Sequence, residues 1–189
     1  SIVTLVICLA LASPEVHADY YDGIAAYDAG DIALAVSEWR AAAIEGDARA
    51  QSALGNAYST GLSVAVDHRL ASVWYEKAAK QGNASAQYSL AENYAAGLGV
   101  KKDISKAVEW LQASAERQEI RAQFELAERY AQGVGVKQDP ALATRWYLAA
   151  AEQGHIIAQM LVARRYAEGK GSQIDPVAAY TWYYIASRR

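Results

Sequence analysis

The chain has 189 residues, of which 53% are hydrophobic and 21% charged, and its formal net charge is −3. This balance excludes a disordered polypeptide and leaves no large basic field of the kind that binds nucleic acid. Abundant alanine and only three prolines favour helix over strand.

Residues 1–18 differ from the rest. An apolar run from Ile2 to Leu11 is broken only by Thr4, and it is too short to cross a bilayer as a helix. The small-residue site Val16-His17-Ala18 follows, which predicts a secretory signal peptide cut before Asp19. A buried N-terminal helix is the alternative. Cys8 lies inside the run, but Val6-Ile7 ahead of it are not the small residues of a lipoprotein signal. The mature chain 19–189 then has no cysteine and depends on its apolar core rather than on disulfides. It loses Glu15 and no base, which moves the net charge from −3 to −2. A periplasmic or secreted location follows, with no membrane span in the mature chain.

From residue 48 a period of 36 residues governs the sequence, dividing it into 48–83, 84–119, 120–155 and 156–189. Trp74, Trp110, Trp146 and Trp182 mark the period. Ala50, Ala86, Ala122 and Ala158 align, each followed by a glutamine: Gln51, Gln87, Gln123 and Gln159. Leu54, Leu90, Leu126 and Val162 come next, then Tyr58, Tyr94, Tyr130 and Tyr166, then Gly61, Gly97, Gly133 and Gly169. The Ala, Leu and Tyr columns fall at i, i+4 and i+8, one face of a first helix, which the glycine ends. A second helix starts at Asp67, Asp103, Asp139 or Asp175. The pairs Asp139-Pro140 and Asp175-Pro176 are the clearest N-terminal signals. Ala71, Ala107, Ala143 and Ala179 precede the tryptophans by three, so small and large residues share that helix face. The tryptophans are expected to wedge between successive helix pairs. Gly82 and Gly154 close the second helix, and Gln118 takes that place in the third unit.

The segment 19–47 reads as a shortened capping unit, with Tyr27, Gly30 and Asp31 in the corresponding columns and Trp39 in the slot of Tyr75. At the other end, Tyr180, Trp182, Tyr183 and Tyr184 make an aromatic second helix with no polar cap after it. A helix pair cannot bury its apolar face alone, so neighbouring pairs must stack. The fold class expected is all-α, a solenoid of stacked antiparallel helix pairs.

These columns resemble the Sel-one-like repeat (SLR) family, a relative of the tetratricopeptide repeat. The stretches "AQYSLAENYAAGLGVKKDISKAVEWLQASA" and "AQFELAERYAQGVGVKQDPALATRWYLAAAEQG" carry the likeness, and Ser63 and Gln118 are the departures. The resemblance implies a right-handed α-solenoid whose first helices line a concave groove, and a scaffold or adaptor role in protein–protein interaction. Exported family members linked to penicillin binding or β-lactamase activity carry paired cysteines, which this chain lacks.

Catalytic signatures are missing. The pairs Gly97/Gly99, Gly133/Gly135 and Gly169/Gly171 do not extend to a phosphate-binding motif and read as structural turns. His68 and His155 belong to no metal motif and are expected to be solvated. No Ser-x-x-Lys or Gly-x-Ser-x-Gly occurs. The sequon Asn83-Ala84-Ser85 reads as a polar turn between repeats. An enzyme, a metal site and a cofactor are therefore not expected.

What varies between repeats is more informative. Three columns of the first helix are free of the packing pattern: Arg49, Ser85, Arg121 and Ile157; then Ser52, Tyr88, Phe124 and Met160, joined by Tyr21; then Asn56, Glu92, Glu128 and Arg164. By analogy with the tetratricopeptide groove they point inward, as apolar anchors beside a polar row. Tyr88, Phe124, Met160, Arg121, Glu92, Glu128 and Arg164 are the candidate contacts for a partner protein or peptide. Packing of Tyr88, Phe124 and Met160 on adjacent repeats is the competing reading. The expected function is an exported binding scaffold. The alternatives are an envelope hydrolase acting on a β-lactam or cell-wall substrate, and an assembly factor that oligomerises through its C-terminal helix.

Overall fold

The computed structural model describes residues 19–188, so the predicted signal segment with Cys8 lies outside the described residues. Ten α-helices follow one another: α1 (Tyr20–Asp28), α2 (Ile32–Glu45), α3 (Ala48–Thr60), α4 (His68–Lys80), α5 (Ala84–Ala96), α6 (Ile104–Glu116), α7 (Ile120–Gln132), α8 (Pro140–Glu152), α9 (Ile156–Glu168) and α10 (Pro176–Ser187). Odd-numbered helices are the first of each pair (A) and even-numbered ones the second (B). Each helix packs mainly on the one before and the one after it, with a light A–A contact between α3 and α5. The result is an α-solenoid, a quasi-one-dimensional stack.

The helix boundaries fall where the local chemistry puts them. Asp31, Asp67, Asp103, Asp139 and Asp175 cap the five B helices, accepting from first-turn N–H groups at 2.9–3.1 Å. Such caps stabilise a helix by about 1 kcal/mol each. Pro140 and Pro176 open α8 and α10, where a missing N–H costs nothing. The A helices end on left-handed glycines, and the B helices of the second and fourth units close through Gly82 and Gly154. In the third unit Gln118 adopts the same left-handed conformation, at φ 66°, so the sequence departure is a strained one.

Packing pairs large residues with small ones. Ala50, Ala71, Ala86, Ala107, Ala122, Ala143 and Ala158 are almost fully buried, with Leu54, Leu90, Leu126 and Val162 among them. The tryptophan column is only half-buried, because it works at the junctions: Trp110 packs on the cores of both flanking units, as does Trp146. In the three units from 48 to 155 the residue after the tryptophan goes deeper, whereas Tyr183 after Trp182 is exposed. Tyr75, Leu111 and Tyr147 are buried, and Trp39 holds that slot in the capping unit. The widest of them lie over glycine: a Cβ on Gly23 would meet the Trp39 indole at 2.2 Å, and one on Gly55 the Tyr75 ring at 2.6 Å.

A ladder of glutamines joins the units. Gln51, Gln87, Gln123 and Gln159 are buried, and each Nε2 donates to the carbonyl of Ala43, Ala79, Ala115 or Ala151, at 3.0–3.2 Å. Those carbonyls lie in the last turn of the preceding B helix; each already accepts one backbone N–H, from Gly46, Gly82, Gln118 or Gly154, and the glutamine takes the second lone pair. The Oε1 atoms of Gln51 and Gln123 accept in turn from Gln81 and Gln153 at 2.8 Å. The Gly-x-Gly loops complete the junction. A Cβ on Gly99 would sit 2.0 Å from the His68 carbonyl oxygen, and one on Gly171 equally close to that of Pro140. The second glycine thus lets each loop rest on the first turn of the previous B helix, as a structural turn should.

Two stability changes follow. Gln118→Gly relieves the left-handed strain and is expected to raise the unfolding free energy by about 1 kcal/mol in urea. Gln123→Ala removes a buried donor and strands the amide of Gln153; it is expected to lower it by about 2 kcal/mol. An unchanged midpoint for Gln123→Ala would mean that the ladder is not what couples the repeats.

Candidate functional site

The three variable columns all lie on A helices, and the structure divides them according to what the next repeat covers. In the first column Arg49, Ser85, Arg121 and Ile157 are exposed. Each lies in the first turn of an A helix, and the two arginines lean back toward the unit before. The Arg49 guanidinium lies over the rings of Tyr20 and Tyr21, at 5.1 and 4.7 Å, and that of Arg121 lies 4.5 Å over Tyr88. Such contacts contribute about 0.5–1 kcal/mol at exposed positions.

In the second column Tyr88 and Phe124 are half-buried against the following repeat. Phe124 stacks on His155 at 4.3 Å and meets Tyr147 edge-on at 5.8 Å. Ser52 is buried and Met160 is 52% exposed. The predicted apolar stripe is therefore uneven: sheltered in the middle, interrupted at Ser52, open at Met160.

The third column meets hydroxyls that rise from the B helices. Tyr75 donates to Asn56 Oδ1 at 2.7 Å, and Tyr147 donates to Glu128 in the same way. Leu111 offers no hydroxyl, and Glu92 instead accepts from Tyr88 at 3.1 Å. Burial, reinforced by the Glu92 and Glu128 carboxylates, pushes the Tyr88 and Tyr147 phenols well above their ordinary range, so both remain protonated donors. Arg164 is exposed at the end of the row. With Ile157, Met160, Leu161 and Tyr183 it lines a cavity of about 200 Å³.

The site residues are brought together in two groups rather than one groove row. Glu92, Tyr88, Arg121, Glu119 and Ser85 form a continuous chain: Arg121 and Ser85 both donate to the Glu119 carboxylate, at 2.9 and 3.2 Å. Met160 and Arg164 form the second group, around the cavity on α9. Glu119 and His155 were not marked as site-forming in the sequence. Their common position just ahead of an A helix, shared with Asp47 and Asn83, was the signal available.

His155 is not the solvated residue expected. Its Nδ1 caps α9 by accepting from the Ala158 N–H at 3.2 Å, and its ring stacks on Phe124. His68 is also partly buried, and its Nδ1 is enclosed. Asn83 caps α5, accepting from Ala86 at 2.9 Å, which is the polar turn predicted for it. Arg165 is buried. It donates to Thr144 Oγ1 at 2.7 Å and the Pro140 carbonyl at 2.8 Å, and burial pushes its guanidinium below the ordinary value. Among the described residues no group of His, Cys, Asp and Glu is placed to hold a metal, and no helix is long and apolar enough to cross a membrane. Ser72, Ser114, Ser172 and Ser187 donate to carbonyls, and Ser85 donates to Glu119.

The family model described as Sel1 repeat matches residues 48–83, 84–118, 120–155 and 156–189. Among solved structures, the chain is similar to a protective antigen present in uropathogenic Escherichia coli strains displaying an SLR fold, with 29% identity and a TM-score of 0.83. That match covers 89% of this chain but 37% of the antigen. The chain is also similar to a Sel1 repeat protein from Oxalobacter formigenes, with 30% identity, a TM-score of 0.83, and 90% and 70% of the two chains covered. No curated protein matches the chain.

The His155 cap makes stability pH-dependent. Burial holds its pKa below the ordinary value of about 6.5, so just below that pH the unfolded chain binds more protons than the folded one. The stabilisation is complete above about pH 6.5 and is lost as the pH falls from there toward the folded-state value. In His155→Asn the amide caps without titrating. Between about pH 7.5 and about pH 5.5 the urea midpoint of the wild type is expected to fall further than that of the variant. Equal falls would sink this assignment.

Proposed function

The chain belongs to the Sel1 repeat family, and on that footing we propose that it is an exported scaffold that holds a partner protein or peptide noncovalently against the face of its A helices. Members of this family are generally protein–protein interaction scaffolds. The observation that carries the reading is the mixed apolar and charged surface around the cavity on α9. Ile157 and Met160 are more than half exposed there, and Arg164 and Tyr183 stand beside them around one cavity. An apolar anchor flanked by a cation and a phenol is a suitable seat for a peptide side chain. Tyr88 and Phe124 contribute differently, because their rings already support Arg121 and His155. They shape the surface more than they offer free area.

Export rests on the apolar run and the Ala18–Asp19 junction. Oxidising compartments favour disulfides in small domains. Here the repeat junctions, with their buried alanines and glutamines, supply the cohesion instead.

The test is a pull-down from envelope extract with the wild type and with Met160→Glu/Arg164→Glu. Both substitutions fall on exposed positions, so the melting temperature is expected to stay within about 2 °C. Capture of the specific partner is expected to drop at least tenfold, about 1.4 kcal/mol. Equal capture by the folded variant would remove the α9 surface from the interface. N-terminal sequencing of exported protein is expected to begin at Asp19, and retention of residues 1–18 would overturn the export reading.

A further inference from the structure

The aromatic stripe of the A-face breaks at one place, and the break is a built cavity. Ser52 stands where Tyr88, Phe124 and Met160 stand in later units, and its small side chain leaves about 200 Å³ between α1, α3 and α5. Tyr20, Arg49, Ser52, Asn56, Asn83 and Ser85 surround it. Ser52 is only 7% exposed, yet its hydroxyl has no hydrogen-bond partner among the described residues. That hydroxyl opens onto the cavity, where a polar occupant would take the place of solvent as its hydrogen-bond partner.

The neighbouring groups define what the occupant must offer. The Tyr75 hydroxyl donates to Asn56 Oδ1 at 2.7 Å, which commits the oxygen of that amide and leaves its Nδ2 as the free group. Asn83 Oδ1 is likewise committed, to the Ala86 N–H at 2.9 Å, while its Nδ2 reaches the Ala48 carbonyl only at 3.4 Å. The cavity therefore presents donors from Asn56, Asn83 and Ser52, and it calls for an acceptor. That acceptor should be neutral. Arg49 already carries the Asp47 carboxylate at 2.8 Å and that of Asp19 at 3.7 Å, and Ser85 is bonded to Glu119. Glu119 is in turn paired with Arg121, so three carboxylates stand against two guanidinium groups and no cation is left unpaired to attract an added anion.

We infer that this cavity is a subsite for an amide carbonyl of the bound partner, with Asn56 and Ser52 as its donors. The inference rests on the reading that the A-face holds a peptide, and it gives that peptide a fixed point of attachment at the opposite end from Met160 and Arg164. The carbonyl can come from the peptide main chain or from a glutamine or asparagine side chain, since both present the same neutral acceptor.

The experiment is a titration of the ¹⁵N-labelled protein, read at the side-chain NH₂ resonances of Asn56 and Asn83. The probes are N-acetyl-alanine methylamide, which offers main-chain carbonyls only, and N-acetyl-glutamine methylamide, which adds a side-chain amide. A saturable shift with both probes assigns the site to the main chain, and one with the glutamine probe alone assigns it to the side chain; either supports the inference. In Asn56→Asp the acceptor for Tyr75 remains and the donor is lost, and binding is expected to weaken about tenfold. Ser52→Leu fills the cavity and is expected to abolish the shift; it carries the test alone if Asn56→Asp does not fold. The inference is overturned by the absence of a saturable shift with either probe, by a shift that survives in a folded variant, or by tighter binding of acetate or methyl glucoside. Partner capture that depends on Met160 and Arg164 while both amide probes fail would discard this subsite and leave the scaffold reading standing.

Discussion

Each junction in this solenoid turns on one buried amide. Gln51, Gln87, Gln123 and Gln159 reach back from an A helix to a carbonyl in the last turn of the preceding B helix. Each of those carbonyls also accepts the N–H of the residue that closes the helix, so the glutamine fills the second lone pair and satisfies its own buried amide in doing so. Its length sets how the two helices meet. The alanines around it then have a defined purpose, since only small side chains let the helices come close enough for the amide to reach. The tryptophans fill what remains at the edge of the junction, which is why Trp74, Trp110 and Trp146 are half-buried while Tyr75, Leu111 and Tyr147 after them are buried.

The same junctions determine which residues are left to bind anything. A first-column residue of one unit covers the second-column residue of the unit before, as Arg49 does over Tyr21 and Arg121 over Tyr88. Cohesion between repeats and recognition of a partner thus draw on the same side chains. Small cavities are left on this face at Ser52, where a small residue leaves a polar one, and beside Met160 on α9. The proposed partner binding rests on these two places, one of them donor-rich and the other apolar with a cation beside it.

Electrostatics on the A-face is local rather than global. With a net charge of −3 the chain carries no long-range attraction for a polyanion. Its charged groups instead sit in short connected sets, such as Arg121 between Tyr88 and Glu119, or Arg129 held by Glu125 at 2.6 Å. Exposed pairs of this kind contribute little to stability. They do fix side-chain orientation, and so present a partner with pre-set donors and acceptors in place of a diffuse field.

Much of the architecture was legible in the residues alone, because repetition turns one weak signal into four concurrent ones. The 36-residue tryptophan spacing, the capping aspartates and the closing glycines each act within one turn of helix, so local chemistry determines them. The displacement of Trp39 could be read as well, since the shortened first unit puts it in the slot of Tyr75. The glutamine column was visible, but its partner was not: the accepting carbonyl lies eight residues back across a turn, and no side chain marks it. The tertiary structure also decided the fate of the variable columns. Periodicity places Tyr88, Phe124 and Met160 on one face, yet only the packing of helices from further along the chain shelters Tyr88 under Arg121 and Phe124 against Tyr147 and His155. His155 looked solvated because nothing in its neighbourhood along the chain predicts Phe124, which lies on the first helix of the same repeat and is brought to it only by the packing of α7 against α8. The sequence by itself determined the helices and their order; the stacking of one unit on another decided which of their residues remained free, because burial depends on neighbours that a linear pattern does not contain.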